Sequence, residues 1–135
     1  MARRLVALVV AALLAMTVVG AAGCTGSTPT PLELTQKDSG STKQLAVGQT
    51  MKISLDSNPT TGYRWGIDSE LPPQLQQVGE PIFTPSSSAM GASGTEVWTF
   101  SGKSAGNGEL KLKYFRSFEP TATPPQAFSV TIDVR

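Results

Sequence analysis

The chain has 135 residues, with 11 Lys or Arg, 10 Asp or Glu, one Cys and no His. Without imidazole and with a single thiol, it lacks the usual ligands of zinc sites and the commonest general acid–base group of enzymes. Its carboxylates are scattered along the sequence rather than clustered as an acid and base pair. We therefore expect a protein that is not an enzyme, has no catalytic residues and binds no metal or cofactor.

The first 23 residues have the pattern of an export signal. Arg3 and Arg4 precede an apolar run over residues 5–19, and small residues follow up to Cys24. The run is too short for a stable membrane span. The small residues before the only cysteine resemble the lipobox of bacterial lipoproteins, in which cleavage precedes the cysteine and the thiol is acylated. We predict a lipoprotein signal peptide over 1–23 and an exported chain, lipid-anchored to the bacterial cell membrane through Cys24 and facing outside the cytoplasm. The alternative is a plain signal peptide followed by an incidental cysteine.

The remainder of the chain has the length of one domain behind a short tether. Residues 24–31 are small, polar and interrupted by proline, a composition typical of a tether, and residues 32–135 form the predicted domain. Cleavage before Cys24 would remove Arg3 and Arg4 and leave nine Lys or Arg against ten Asp or Glu, a net charge of −1. A nearly neutral domain releases few counterions from a phosphate backbone, so we expect no nucleic-acid partner. We expect the domain to be a monomer.

Apolar residues in the predicted domain alternate with polar ones at a period of two, which is typical of half-buried strands. No segment has a convincing helical period. Strands without crossover helices bury their apolar faces against a second sheet, so we predict an all-β sandwich of about seven strands. The alternating apolar positions include Leu45, Met51, Ile53, Leu55, Tyr63, Trp65, Ile67, Trp98, Phe100, Leu110, Leu112, Tyr114, Phe128, Val130, Ile132 and Val134.

Two further expectations follow from local pattern. Asn107 and Gly108 form an Asn-Gly pair, which supplies the positive φ of a type I′ turn, so residues 105–108 are predicted to be a hairpin turn. Trp65 and Trp98 occupy alternating strand positions, so both are predicted to lie in the core.

The segment from Asn58 to Gly62 is the most informative loop. Pro59 fixes its own φ and pushes Asn58 toward an extended conformation, while Gly62 permits positive φ. Asn58 is expected to brace the turn by a side-chain bond to nearby backbone. Thr60 and Thr61 project hydroxyls, and the segment carries no charge, thiol or imidazole. Such a loop can occupy another protein's site with little loss of freedom, but it cannot perform chemistry of its own.

Two other connections have the composition of binding loops. The segment over residues 84–94 is small and flexible, and its glycine-containing end exposes backbone groups. The segment over residues 116–126 begins with an arginine and an aromatic residue, the types that most often anchor interfaces. Loops cluster at the two ends of a sandwich, so several can share one surface.

In order and spacing, these three segments resemble the motifs of the chagasin family of cysteine peptidase inhibitors. Asn-Pro-Thr-Thr-Gly followed by an aromatic residue matches the first family pattern at each position. The second family pattern, G-x-G-G, has Ser93 in its third place, and the third, R-P-W, becomes Arg116-Ser117-Phe118. The resemblance covers about residues 45–135. The segments that carry it are Asn58, Pro59, Thr60, Thr61, Gly62 and Tyr63; Gly91, Ala92, Ser93 and Gly94; and Arg116, Ser117 and Phe118.

The resemblance implies an immunoglobulin-like sandwich whose three loops form a wedge against a papain-like cysteine peptidase. The first loop would enter the active-site cleft without forming a covalent bond, with Thr60 and Thr61 meeting the catalytic Cys and His. Gly91 and Gly94 would let the second loop approach closely. Arg116 would add hydrogen bonds or stack, and Phe118 would lie against an aromatic wall of the enzyme.

Each motif also has a purely structural interpretation. Asn-Pro and Thr-Gly are common turn pairs, the glycines of 91–94 occur in many flexible connections, and Arg116 could simply pair with Glu96 or Glu119. The alternative function is a non-inhibitory cell-envelope binding module that uses the same loops for a polymer or a partner protein. Inhibition of papain separates the two functions.

Overall fold

A computed structural model describes residues 29–119 and 123–135, which form two β-sheets around one hydrophobic core. The predicted signal peptide, Cys24 and the tether up to residue 28 lie outside the described residues. Within the described ranges, no helix has the length and apolar character needed to cross a bilayer.

The described residues form nine strands and two short 3₁₀ helices. The strands are β1 (Leu32–Thr35), β2 (Ser41–Leu45), β3 (Thr50–Ser57), β4 (Tyr63–Ile67), β5 (Leu75–Gln77), β6 (Ile82–Pro85), β7 (Gly94–Gly102), β8 (Gly106–Arg116) and β9 (Gln126–Val134), and the helices span Gln36–Asp38 and Pro59–Thr61. The number exceeds the predicted seven because the long β7 is flanked by two short strands, β5 and β6, which pair with different parts of it.

The first sheet has the order β1-β3-β7-β5, with β6 also pairing with β7, and the second has the order β2-β9-β8-β4. β1 runs parallel to β3 and β2 parallel to β9, while the other pairs are antiparallel. The N-terminal segment of the domain therefore contributes one edge strand to each sheet. This arrangement confirms the predicted all-β sandwich.

The core is formed by the apolar faces of both sheets, as the period-two pattern predicts. Trp65 and Trp98 are both buried, in agreement with their strand positions. All the buried apolar residues of the described part lie between Leu34 and Val134, so a chain that starts at Thr25 contains the whole of this core. They are Leu34, Leu45, Met51, Ile53, Leu55, Trp65, Leu75, Trp98, Phe100, Leu110, Leu112, Tyr114, Phe128, Val130, Ile132 and Val134.

The predicted hairpin over residues 105–108 is wrong. β7 and β8 belong to different sheets, and Asn107 lies inside β8, where it pairs with Asp133 of β9. The chain passes from the first sheet to the second between the end of β7 and the start of β8. In this connection the N–H of Lys103 donates to the carbonyl of Gln74 at 2.7 Å. At Gly106, a Cβ would meet the Gln74 side chain at 3.0 Å. The glycine therefore serves a tight crossing between sheets rather than a turn within one.

Strand register places three loops at one end of the sandwich. β3 ends at Ser57, which pairs with Gly94 at the start of β7, and β4 starts at Tyr63, which pairs with Arg116 at the end of β8. The connections that leave these four residues must therefore lie at the same end, which we call the tip pole.

The opposite pole holds the beginning of the described chain. The carbonyl of Thr30 accepts a hydrogen bond from the Gln49 side chain at 2.7 Å, just before β3. The eight residues of β3 separate this point from the tip pole, a distance of about 25 Å.

Candidate functional site

The tip loop, residues 58–62, is a single 3₁₀ turn whose shape follows from its sequence. Pro59 is the first helical residue, where its missing N–H costs nothing. The side-chain oxygen of Asn58 accepts from the backbone N–H of Thr60 at 3.2 Å, which confirms the expected brace. Gly62 ends the turn at φ +81° and donates its N–H to the carbonyl of Pro59 at 3.1 Å. A left-handed φ of this kind favours glycine.

The base of the tip loop is fixed to the core. The N–H of Asn58 donates to the hydroxyl of Tyr114 at 2.8 Å, and Trp65 Nε1 donates to the carbonyl of Asp56 at 2.9 Å. Tyr114 and Trp65 are both buried, and their rings lie 5.1 Å apart. The loop therefore starts from a rigid support, which lowers the entropy that it loses on binding.

The two threonine hydroxyls of the tip already use their hydrogens within the loop. Thr60 Oγ1 donates to Asn58 Oδ1 at 2.5 Å, and Thr61 Oγ1 donates to the carbonyl of Asn58 at 2.6 Å. The backbone N–H groups of Thr60, Thr61 and Gly62 also have partners inside the loop. A hydroxyl that donates once keeps its oxygen lone pairs. The tip therefore offers a partner mainly acceptor groups, because the backbone N–H groups of Thr60, Thr61 and Gly62 are already bonded.

The second loop, residues 86–93, lies directly beside the tip loop. Asn58 Nδ2 donates to the carbonyl of Gly91 at 3.4 Å, and a Cβ on Gly91 would lie 4.0 Å from Thr60 Oγ1. Gly91 has a φ of +77°. Ala92 and Ser93 complete the loop, and the carbonyl of Ser93 accepts from both the N–H and the hydroxyl of Ser86, at 2.9 and 2.7 Å.

Gly94 has a different task from Gly91. It is the first residue of β7, and a Cβ there would collide with the carbonyl oxygen of Thr84 and come within 2.7 Å of the Pro85 Cα. Glycine at this position lets β6 and β7 pair closely, so packing within the sheet explains why a glycine stands here. The structure thus shows a role for Gly94 within the sheet, while the close approach of a partner that the resemblance implied at this position stays a prediction.

The third loop contributes an exposed aromatic ring. The N–H of Glu119 donates to the carbonyl of Arg116 at 3.0 Å, which closes a turn with Ser117 and Phe118 at its centre. Phe118 is 68% exposed, and its ring edge lies 3.1 Å from where a Cβ on Gly62 would stand. The third loop therefore touches the other side of the tip loop.

Arg116 lies within this surface and is held there by several contacts. Its guanidinium carbon stands 4.3 Å from the ring centre of Tyr63 and 5.6 Å from that of Phe118. Its Nη1 is also 3.7 Å from a carboxylate oxygen of Glu119. The ion pair with Glu119 that the structural interpretation allowed is present, together with stacking on both aromatic rings. Arg116 therefore braces the tip pole.

Sequence reasoning did not identify Glu96 as part of this site. Its carboxylate accepts from Ser57 Oγ at 3.1 Å and from Trp98 Nε1 at 3.0 Å. Ser57 and Trp98 lie in the same sheet as Glu96, and Ser57 is the residue before the tip loop, so the carboxylate braces the base of that loop from within the first sheet. The signal was available, because Glu96 shares the inward face of β7 with Trp98 and Phe100.

The environment of Glu96 disfavours its charge. Burial raises the pKa of the Glu96 carboxyl above its ordinary value, and the hydrogen bonds from Ser57 and Trp98, together with the nearby Trp65 backbone, offset only part of that effect. Among residues 29–119 and 123–135, no cluster of three or more His, Cys, Asp or Glu side chains is placed to hold a metal ion.

The fold and the site define a β-sandwich that presents three adjoining loops, braced from below, at one pole. The sequence matches the family described as chagasin family peptidase inhibitor I42 over residues 44–132. It is 34% identical to chagasin of Trypanosoma cruzi over 102 residues, covering 73% of this chain and 93% of chagasin. It is 28% identical to amoebiasin-1 of Entamoeba histolytica over 106 residues, covering 77% of this chain and 100% of that protein.

A solved structure shows the same architecture. The cysteine protease inhibitor EhICP2 of Entamoeba histolytica matches with a TM-score of 0.66 at 25% identity, covering 78% of this chain and 95% of that one. The chain belongs to the chagasin family of peptidase inhibitors, and it has the immunoglobulin-like sandwich that the resemblance implied.

Proposed function

We propose that this protein is a reversible, non-covalent inhibitor of papain-like cysteine peptidases that inserts the tip loop into the active-site cleft. The observation that carries the proposal is the contact of the tip loop with both other loops, through Gly91 on one side and Phe118 on the other. Three segments far apart in sequence thus form one continuous surface. The family membership and the similarity to a cysteine protease inhibitor support the choice of target class.

The acceptor character of the tip suits such a cleft. A papain-like peptidase pairs its thiolate with an imidazolium, both of whose ring nitrogens are donors. The Thr60 and Thr61 hydroxyls donate their hydrogens to Asn58, and the lone pairs of their oxygens can accept hydrogen bonds from that imidazolium. The tip carries no charge that would repel either group, and it supplies no nucleophile, so the complex forms by contact alone.

The surface area that a tight complex buries explains why binding needs the second and third loops as well as the tip loop. A nanomolar complex corresponds to about −12 kcal/mol and usually buries roughly 1,600 Å² in total. The five residues of the tip loop cannot cover that area. The second loop and the exposed ring of Phe118 extend the surface on either side, and Arg116 keeps that ring in place.

The direct test is titration of an active-site-quantified papain-like peptidase with the chain from Thr25 onward. We expect inhibition at one-to-one stoichiometry, with the inhibitor recovered intact. If papain-like enzymes keep their full activity, the proposal is wrong and the alternative of a non-inhibitory envelope module, which binds a polymer or a partner protein, takes its place.

A set of threonine variants tests the role of the tip. Thr60→Ala with Thr61→Ala should raise the inhibition constant on the order of tenfold to a hundredfold, because the hydrogen bonds proposed between these hydroxyls and the peptidase are lost. The Ser double variant keeps both hydroxyls and should retain most of the potency. Thr42→Ala is a matched control, because Thr42 is exposed on β2, which pairs with β9 far from the tip pole. Full potency of the double Ala variant would contradict the assignment.

We also propose, from sequence alone, that the chain is exported and anchored outside the cytoplasm by a lipid on Cys24. Expression in a bacterial host with a labelled fatty acid should label the wild-type chain and leave Cys24→Ser unlabelled. Equal labelling of both chains, or of neither, would contradict the anchor.

A further inference from the structure

Met90 is a large apolar side chain that the fold leaves fully exposed. From Thr25 onward the chain has two methionines, and the other, Met51, is completely buried in the core. Met90 has a relative exposure of 103%, the highest among the exposed large apolar residues of the described part. Its side chain therefore gains nothing from the fold, and it would gain from burial against a partner.

The second loop holds Met90 in a defined position. The N–H of Ala92 donates to the carbonyl of Ala89 at 3.2 Å, which closes a β-turn with Met90 and Gly91 at its centre. The φ of +77° at Gly91 is what the third position of a type II turn requires. Below this turn, Ser86 binds the carbonyl of Ser93 through both its N–H and its hydroxyl. Met90 is thus presented on a hydrogen-bonded turn.

The location of this turn connects it to the proposed inhibitory surface. The carbonyl of Gly91, the next residue, accepts from Asn58 Nδ2 at 3.4 Å, so the turn that carries Met90 is joined to the tip loop. Met90 therefore lies next to the tip loop, on the surface proposed to meet the peptidase. None of the three motifs includes Met90.

We propose that Met90 is an additional anchor of the inhibitory surface, burying its thioether side chain against an apolar patch beside the active-site cleft of the bound peptidase. The inference rests on the proposed function and adds a determinant of affinity to it. An unbranched thioether adapts to pockets of different shape. Met90 thus supplies affinity that does not depend on one exact pocket, and it lets one inhibitor serve peptidases whose cleft rims differ.

Four variants of the chain from Thr25 test the proposal, with the inhibition constant for an active-site-quantified papain-like peptidase as the readout. Met90→Ala and Met90→Gln should each bind on the order of tenfold more weakly, because they remove the apolar contact or replace it by a polar group. Met90→Leu keeps a similar apolar volume and should stay within about twofold of the wild type. Val47→Ala is the control, because Val47 is exposed but bridges Gly102, at the far end of β7 from the second loop.

Selective oxidation gives a second readout on unmutated protein. Hydrogen peroxide transfers one oxygen to the thioether sulfur and leaves water, so the sulfur loses two electrons and the peroxide gains them. Met51 is shielded in the core, so mild treatment should modify Met90 alone. The sulfoxide should inhibit on the order of tenfold more weakly, whereas peroxide-treated Met90→Leu should be unchanged.

The outcomes separate this inference from the function on which it rests. Equal inhibition constants for wild type, Met90→Ala and the sulfoxide would overturn the role of Met90 and leave the proposed function in place. An equal loss in Val47→Ala and Met90→Ala would also overturn it. Absence of inhibition by the wild-type chain would overturn both.

Discussion

Tyr114 and Asn58 join the hydrophobic core to the tip loop through one hydrogen bond, 2.8 Å long, from the backbone N–H of Asn58 to the phenol oxygen. Tyr114 is nearly fully buried and packs against the rings of Tyr63 and Trp65, with both ring centres 5.1 Å from its own. The phenol therefore has little freedom, and the first residue of the tip shares that restriction.

Tyr114→Phe should weaken both folding and inhibition. The change removes the acceptor and leaves the Asn58 N–H without its partner, which costs about 1–3 kcal/mol when the donor stays shielded from water. Urea denaturation should show a lower free energy of unfolding, and titration of a papain-like peptidase should show a higher inhibition constant. A variant with unchanged values for both would show that the bond does not position the tip.

Two glycines of the same region should respond differently to alanine. Gly94→Ala places a methyl group against the carbonyl of Thr84 and the backbone of Pro85, so it should lower the free energy of unfolding by about 1–3 kcal/mol or more. In Gly91→Ala the new methyl group would lie near only Thr60 Oγ1, at 4.0 Å. The free energy of unfolding should fall by about 1 kcal/mol, mainly because alanine disfavours the positive φ of this position. Denaturation of both variants checks the order, and a larger loss for Gly91→Ala would contradict this account.

Glu96 should give the stability a characteristic dependence on pH. Because its pKa is raised in the folded state, the protonated carboxyl is favoured there. The contribution of Glu96 to the free energy of unfolding is fully present below its ordinary pKa of 4.5. This contribution is lost as the pH rises through the higher pKa of the folded state. The charged groups that line the space around it are Arg64 of β4 and Glu80, between β5 and β6.

Glu96→Gln isolates this effect, because the amide keeps one acceptor for Trp98 Nε1 and can donate to the Ser57 hydroxyl. The free energy of unfolding of wild type relative to Glu96→Gln should fall as the pH rises above 4.5. Other carboxylates cancel in this comparison. Curves of free energy against pH that run parallel for the two proteins would exclude Glu96 as the titrating group.

Restoring the family pattern in the third loop should strengthen inhibition. Ser117 is the second residue of the turn from Arg116 to Glu119, the position that favours proline, and Phe118 is exposed for contact. Ser117→Pro with Phe118→Trp should lower the inhibition constant about fivefold, on the order of 1 kcal/mol, because a stiffer turn presents a larger ring. Phe118→Ala should change it in the opposite direction. No change in either variant would argue against docking through this loop.

The period-two pattern was sufficient to predict the sandwich and most of its core. Met51, Ile53 and Leu55 face inward on β3, and Trp65 and Trp98 are buried as their positions required. The pattern does not specify which strands pair, so it gave no indication that β1 and β2 run parallel to their neighbours. It also misplaced the turn at Asn107, because an Asn-Gly pair favours a hairpin only when the flanking strands share a sheet.

The motif resemblance selected three loops that the structure brings together, and the brace at Asn58 followed from local turn chemistry. Local sequence could place Glu96 on the inward face of β7, but it could not reveal the hydrogen bond from Ser57, which lies on another strand. It also could not reveal the exposure of Met90, which depends on how the second loop packs. The sequence also could not predict that Gly91 and Gly94 have different structural roles. Both are glycines in a loop-like segment, and only the packing of β6 against β7 distinguishes them.

The hydrogen bond between Thr30 and Gln49 has a consequence for the orientation of the molecule. It fixes the point where the chain enters the domain at the pole remote from the three loops. If the chain is anchored through Cys24, as proposed, the anchored end of the domain is the pole opposite the three loops. The surface proposed to bind a peptidase would then face away from the membrane.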